Sequence, residues 1–159
     1  MIHGFILDTC ALSEPLKPNP DIHFIKWLSA LEKEGGLTRL FISVLSIGEI
    51  QKGISKIKDT KRKNRFIKFL RDTEEMFQGR ILTIQPEIAK IWGGMEGVLV
   101  SKGKHCPAID GLIAATAIHH SLTLVTRNVD DFHPIIKNYH PDSKYEMEQL
   151  IINPWEKNS

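Results

Sequence analysis

Five short apolar runs, the first without polar alternation, recur along the chain at residues 4–8, 39–43, 80–84, 122–126 and 149–152. Runs of this length and character predict strands buried on both faces. The segments between them carry three- and four-residue apolar spacings and predict helices. The first, 21–34, follows the Pro15–Pro20 loop, with Asp21 as its cap and Ile22, Ile25, Leu28 and Leu31 on one face. Gly35-Gly36 ends it. Helix 44–53 takes Ser43 as cap and aligns Ile47, Ile50 and Ile54. Helix 61–78 places Phe66, Ile67, Phe69, Leu70 and Phe77 on its apolar side, and Pro86 opens a helix to about Lys102. After a loop at Gly103–Pro107, helix 108–120 carries Ala114, Ala115 and Ala117, small enough to pack closely on a sheet.

Strands separated by helices pair in parallel through right-handed crossovers. The expectation is therefore one α/β domain over residues 1–159, without internal repeat or linker. In open sheets of this kind ligands gather outside the carboxyl ends of the strands. Asp8 ends the first strand, Asp130 and Asp131 follow the fourth, and Glu49 and Asp110 fall in early turns of helices. The topology thus directs Asp8, Glu49, Asp110 and Asp131 to one edge.

Carboxylates at the ends of buried segments are costly unless paired, hydrogen-bonded or bound to a cation. Grouped, they raise one another's pKa, and a divalent ion relieves the repulsion. Oxygen donors suit Mg²⁺ or Mn²⁺, which can activate water and stabilise charge on a phosphoryl oxygen. Hydrolysis of a phosphodiester without a protein nucleophile is the chemistry this set favours. No triad motif accompanies Cys10 or any serine, and no Gly-x-x-x-x-Gly-Lys loop is present.

The 159 residues, 42% hydrophobic and 25% charged, suit a single globular domain. No apolar run approaches the roughly 20 residues that cross a bilayer, and the first residues lack the features of a signal peptide, which points to the cytoplasm. Cys10 and Cys106 belong to no Cys-x-x-Cys pair and are expected to be free, small packing residues. The net charge of +2 conceals a run from Lys56 to Arg71 with eight basic residues against one acid, Asp59. Such a run is either a solvated helix face or an attractor for phosphates.

Several longer motifs now stand together. They are Phe5-Ile-Leu-Asp-Thr9 with Leu12-Ser-Glu14, Ile42-Ser-Val-Leu-Ser-Ile-Gly-Glu-Ile50 with Gly53-Ile54, and Phe77-Gln-Gly-Arg-Ile81. They continue as Asp110-Gly-Leu-Ile-Ala-Ala-Thr-Ala117, Leu124-Val-Thr-Arg-Asn-Val-Asp-Asp-Phe132 and Asn153-Pro-Trp155. In this order, across nearly the whole chain, they resemble the PIN-domain ribonucleases, specifically the VapC-like toxins of the FitB subgroup. The resemblance implies a three-layer α/β/α domain with a five-stranded parallel sheet and a Mg²⁺- or Mn²⁺-dependent endoribonuclease. It implies Asp8, Glu49 and Asp110 as the central metal-binding acids and Asp131 as the fourth, with Asp130 an ambiguous neighbour. Thr9, Thr126 and Asn128 become supporting groups, although each also has an ordinary structural role open to it in a turn or strand. A cognate antitoxin and homodimerisation are implied as well. One departure is Cys10, where the family usually has Asn, because a thiol does not reproduce an amide's hydrogen bonds. The alternative reading is therefore a PIN-like module, catalytically impaired, that binds RNA or antitoxin. A phosphotransferase with Asp8 as nucleophile is set aside, since its second Asp, two positions on, is Cys10 here.

Overall fold

A computed structural model describes residues 4–139 and 150–156. Strands β1 (Phe5–Leu7), β2 (Leu40–Ser43), β3 (Ile81–Leu82), β4 (Thr123–Val125) and β5 (Ile151–Ile152) form one sheet in the order β3-β2-β1-β4-β5. Every pairing is parallel, as the strand–helix alternation requires. Gln149, read as the start of the fifth strand, lies outside the described residues.

The period-two alternation of strand side chains divides the core between two faces. Ile6 and Leu124 enter the core formed with α5 (Pro86–Ser101), α6 (Ala108–His119) and α7 (Val129–Tyr139). Their neighbours Leu7 and Val125 enter the core on the other face. There they meet α1 (Thr9–Ser13), α2 (Ile22–Lys33), α3 (Val44–Lys56) and α4 (Thr60–Met76). Two helical layers thus enclose the sheet. Ala114, Ala115 and Ala117 are almost wholly buried, which lets α6 approach closely.

The expected caps form. Asp21 accepts from the N–H groups of His23 and Phe24 at 2.8 and 3.2 Å, and Ser43 Oγ accepts from Leu45 N–H at 3.1 Å. Asp59 caps α4 through Arg62 N–H at 2.7 Å.

Three expectations are corrected and one helix is added. The buried face of α2 is led by Phe24 and Leu31, whereas Ile22 is 57% exposed. Phe24 packs beside Trp27 of the same helix and against the distant Trp155, whose ring contact outweighs the isoleucine spacing. On α4, Leu70 and Phe77 are buried but Ile67 is exposed. Residues 9–16 form α1 and a following 3-10 turn, so helical structure runs to Leu16, within the stretch read as a loop from Pro15. Residues 129–139, unassigned from the sequence, form α7 with Pro134 inside it. Proline has no N–H for the carbonyl four residues back, which hides the helix, yet Phe132, Ile135 and Ile136 bury one face of it.

Glu14 is the unforeseen buried acid. Its carboxylate accepts from Asp21 N–H at 2.8 Å and pairs with Lys17 at 2.6 Å. These partners outweigh the cost of desolvation and hold its pKa below the usual carboxylate range.

Candidate active site

The strand order reverses at β1, so the crevice beyond the ends of β1 and β4 is the topological switch point. Asp8 directly follows β1 and Thr126 directly follows β4, and the two close this crevice together. Asp8 is 4% exposed. One of its oxygens accepts from Ala11 N–H at 2.7 Å, capping α1, and the other accepts from Thr126 Oγ at 2.5 Å. Thr126 also pairs through its N–H with Ile152 in β5 and accepts from Asn128 N–H at 3.0 Å. Its strand role and its site role therefore coexist.

Burial pushes the Asp8 pKa up to about 6, against the lowering influence of the Thr126 and Ala11 hydrogen bonds; Asp110 and Glu49 add repulsion. Asp110, in the first turn of α6, is raised as well, first by burial and then by Glu49 and Asp131. The charges acting on Asp110 are all acidic. Four segments far apart in sequence thus present mutually repelling acids at one edge of the sheet.

Glu49 sits in the second turn of α3, and Thr9 from the start of α1 donates to its Oε1 at 2.6 Å. Ser46 lies 3.0 Å from the Thr9 hydroxyl. Thr9 has one proton, given to Glu49, so Ser46 donates in that second contact. Ser46 is fully buried and was not singled out from the sequence. Its position three residues before Glu49, on one helix face, was the available signal.

Asp130 and Asp131 occupy the first turn of α7, both exposed. Behind burial, the Asp131 charge helps raise the pKa of both Asp110 and Cys106, and both Asp130 and Asp131 line the cleft beside Cys106. The backbone carbonyl of Asn128 accepts from the Asp131 and Phe132 N–H groups at 3.1 and 3.3 Å at the start of α7. Its side-chain amide is 4.0 Å from the Cys10 sulfur, a weak contact. Cys10 is exposed, not the packing residue expected, and both cysteines are free. Partial burial of its thiol, then the Asp8 charge, pushes its pKa up and keeps it neutral. Neither hydrogen bond of Asp8 involves Cys10, so this departure leaves the central acid in place.

Gly111 follows Asp110 under the indole of Trp92, where a Cβ would lie 2.8 Å from Cδ1 and 2.9 Å from Nε1. Any larger residue would displace the helix turn that carries Asp110. Two open clefts, of about 390 and 300 Å³, share Asp130 and Asp131 as lining. Neither is lined by Asp8, Glu49 or Asp110.

Among the described residues, no three acidic, histidine or cysteine side chains form a ready-made metal cage. The donors nevertheless suit a hard divalent cation. They are carboxylate oxygens, they repel one another, and Asp8 and Asp110 are held at raised pKa without a compensating base among the acting charges.

Fold and site together define a class, the parallel α/β domains that gather acids at the switch point of the sheet. The chain belongs to the PIN-domain family, whose pattern matches residues 5–135. It is 31% identical to the toxin FitB of Neisseria gonorrhoeae over 151 residues, 94% of this chain and 97% of that one. It is 28% identical to a VapC ribonuclease of Sinorhizobium fredii, over 95% of this chain and 97% of that one. Among solved structures, FitAB bound to a DNA fragment superposes with a TM-score of 0.80 at 29% identity, covering 98% of both chains. FitAcB from Neisseria gonorrhoeae superposes with a TM-score of 0.79 at 30% identity, covering 96% of this chain and 99% of that one. No helix among the described residues is long and apolar enough to cross a membrane.

Proposed function

We propose that this chain is a metal-dependent endoribonuclease, the toxin of a toxin–antitoxin pair, held inactive by a cognate antitoxin and assembling as a homodimer. The observation that carries the reading is Asp8. It is buried at the switch point, held by Thr126 and Ala11, and raised to about 6 by burial and by repulsion from Asp110 and Glu49. The FitB and VapC names of the full-length relatives, and the FitAB complex among the structural neighbours, support the toxin, ribonuclease and antitoxin parts.

Asp8, Glu49 and Asp110 would hold Mg²⁺ or Mn²⁺, with Asp131, and Asp130 beside it, completing the acidic set. When bound, the cation supplies Lewis acidity toward a phosphoryl oxygen and a more acidic water. The protein contributes orientation. Thr126 fixes one oxygen of Asp8, Thr9 fixes one oxygen of Glu49, and Ser46 fixes Thr9. The backbone carbonyl of Asn128 accepts from Asp131 N–H at the start of α7.

The test is cleavage of RNA by purified protein with Mg²⁺ or Mn²⁺, compared with Asp8→Asn and Asp110→Asn. Activity lost on chelation, restored by the metal and absent from both variants is the expected result. Equal activity in all three proteins would refute the assignment.

A further inference from the structure

A polyanion approaching Asp8, Glu49, Asp110 and Asp131 meets like charge, so binding must be supplied from elsewhere on the protein. The whole chain carries +2, but residues 56–71 carry a net +7, leaving −5 for all the rest. This charge lies at the end of α3 and on α4, and α4 packs against α3, the helix that bears Glu49. The basic segment starts seven residues beyond Glu49, about 10 Å along the helix axis.

At 3.6 residues per turn, Lys61, Arg65, Lys68 and Arg71 fall within an arc of about 120°, opposite the buried Leu70. They form a row about 15 Å long. All four are exposed. Lys68 pairs with Asp72 at 2.5 Å, but both partners are exposed and such pairs exchange readily for other anions. Arg65 lies 5.9 Å above the ring of the half-buried Phe66, which holds its base against the surface.

The order of charge along α4 is opposite to that which stabilises a helix. A helix dipole favours acids at the start and bases at the end. Here the first turn holds Lys61, Arg62 and Lys63 with no acid, and the last turn holds Glu74 and Glu75 with no base. Lys61 and Arg65 also repel at i,i+4. The Asp59 cap and the Lys68–Asp72 pair offset only part of this arrangement, whereas a ligand with regularly spaced negative charge compensates it.

We infer that the outward row Lys61–Arg65–Lys68–Arg71 of α4 is a phosphate-binding track for single-stranded RNA, which anchors the substrate beside the acidic site. The inference rests on the ribonuclease reading for the identity of its ligand. The row supplies affinity that is independent of sequence, and the acids supply the cut. It also predicts that short substrates, which span the acids alone, gain nothing from α4.

The experiment compares Asp8→Asn with the same protein carrying K61Q, R65Q, K68Q and R71Q. Binding of a fluorescent single-stranded RNA is read by anisotropy at several salt concentrations, with chelator present so that neither metal nor cleavage enters. Loss of about four phosphate contacts lowers the slope of log K against log salt by about 2–3 and weakens binding at least about tenfold. Unchanged thermal melting shows that the fold is intact. In the cleavage-competent protein the quadruple change raises KM for long RNA and leaves dinucleotide cleavage unaltered. Equal affinity and slope with and without the four substitutions overturn the track and leave the nuclease reading standing, and so does retained RNA binding with lost affinity for an acidic protein partner. Salt-dependent binding lost in the quadruple variant, in a protein that fails to cut RNA with either Mg²⁺ or Mn²⁺, supports the track and refutes the nuclease reading.

Discussion

Asp8 should make the metal-free protein less stable at neutral pH than its Asp8→Asn variant. The carboxyl is raised from 3.8 to about 6 in the folded state, so between those values the native protein holds a proton that the unfolded chain has released. Stability then falls as pH rises through this window. A shift of about two units amounts to about 3 kcal/mol, fully exerted above pH 6. Asparagine removes this penalty but accepts less well from Ala11 N–H and Thr126 Oγ, at about 1–2 kcal/mol for the changed hydrogen bonds. The net gain at pH 7.5 is about 1–2 kcal/mol, or about 2–8 °C in melting temperature for a chain of this size. Asp110 is shifted in the same direction and Glu14 in the opposite one, but both stay in the variant and largely cancel in the difference. The assay is thermal melting of both proteins in chelator from pH 4 to 8. Adding Mg²⁺ or Mn²⁺ should then stabilise the wild type and leave the variant nearly unmoved. A variant less stable than wild type at pH 7.5, or a stability difference that does not change between pH 4 and 6, would refute this account of Asp8.

Thr126→Val removes the strongest influence lowering the Asp8 pKa, a charge-assisted hydrogen bond of about 1.5–3 kcal/mol. The acid limb of the pH–rate profile should move up by about 1–2 units, and an unmoved limb would argue against the contact. Gly111→Ala drives a Cβ into Trp92 and should cost about 1–3 kcal/mol, read as a lower melting temperature with altered tryptophan fluorescence. Cleavage should fall with it, because Asp110 lies on the displaced turn. Cys10→Asn should change cleavage by less than about tenfold, under about 1.4 kcal/mol, since the Cys10–Asn128 contact is long and Asp8 does not use it. A larger change would make residue 10 a positioning group.

The acids were visible in the chain because each ends or begins an element whose identity its neighbours declare. Asp8 closes an apolar run, Asp110 opens an alanine-rich helix, and Glu49 borders an isoleucine stripe. Their supports were harder to see. Ser46 looks like any small helical residue until Thr9, 37 positions away, is placed beside it. The helix of Asp130 and Asp131 was masked by Pro134, and the face of α2 was misjudged because Phe24 follows a distant aromatic partner and not the local isoleucine spacing.

The sequence by itself determined the parallel α/β class, the strands, most helices and the acids at their ends, because buried runs, caps and helical spacing are local properties. Tertiary structure alone decided the strand order that puts the switch point between Asp8 and Thr126. It also brought the Asp131 charge to bear on Asp110. Hydrogen bonds and charge repulsion depend on distance in space, and residues 8 and 126 become neighbours only when the sheet closes between them.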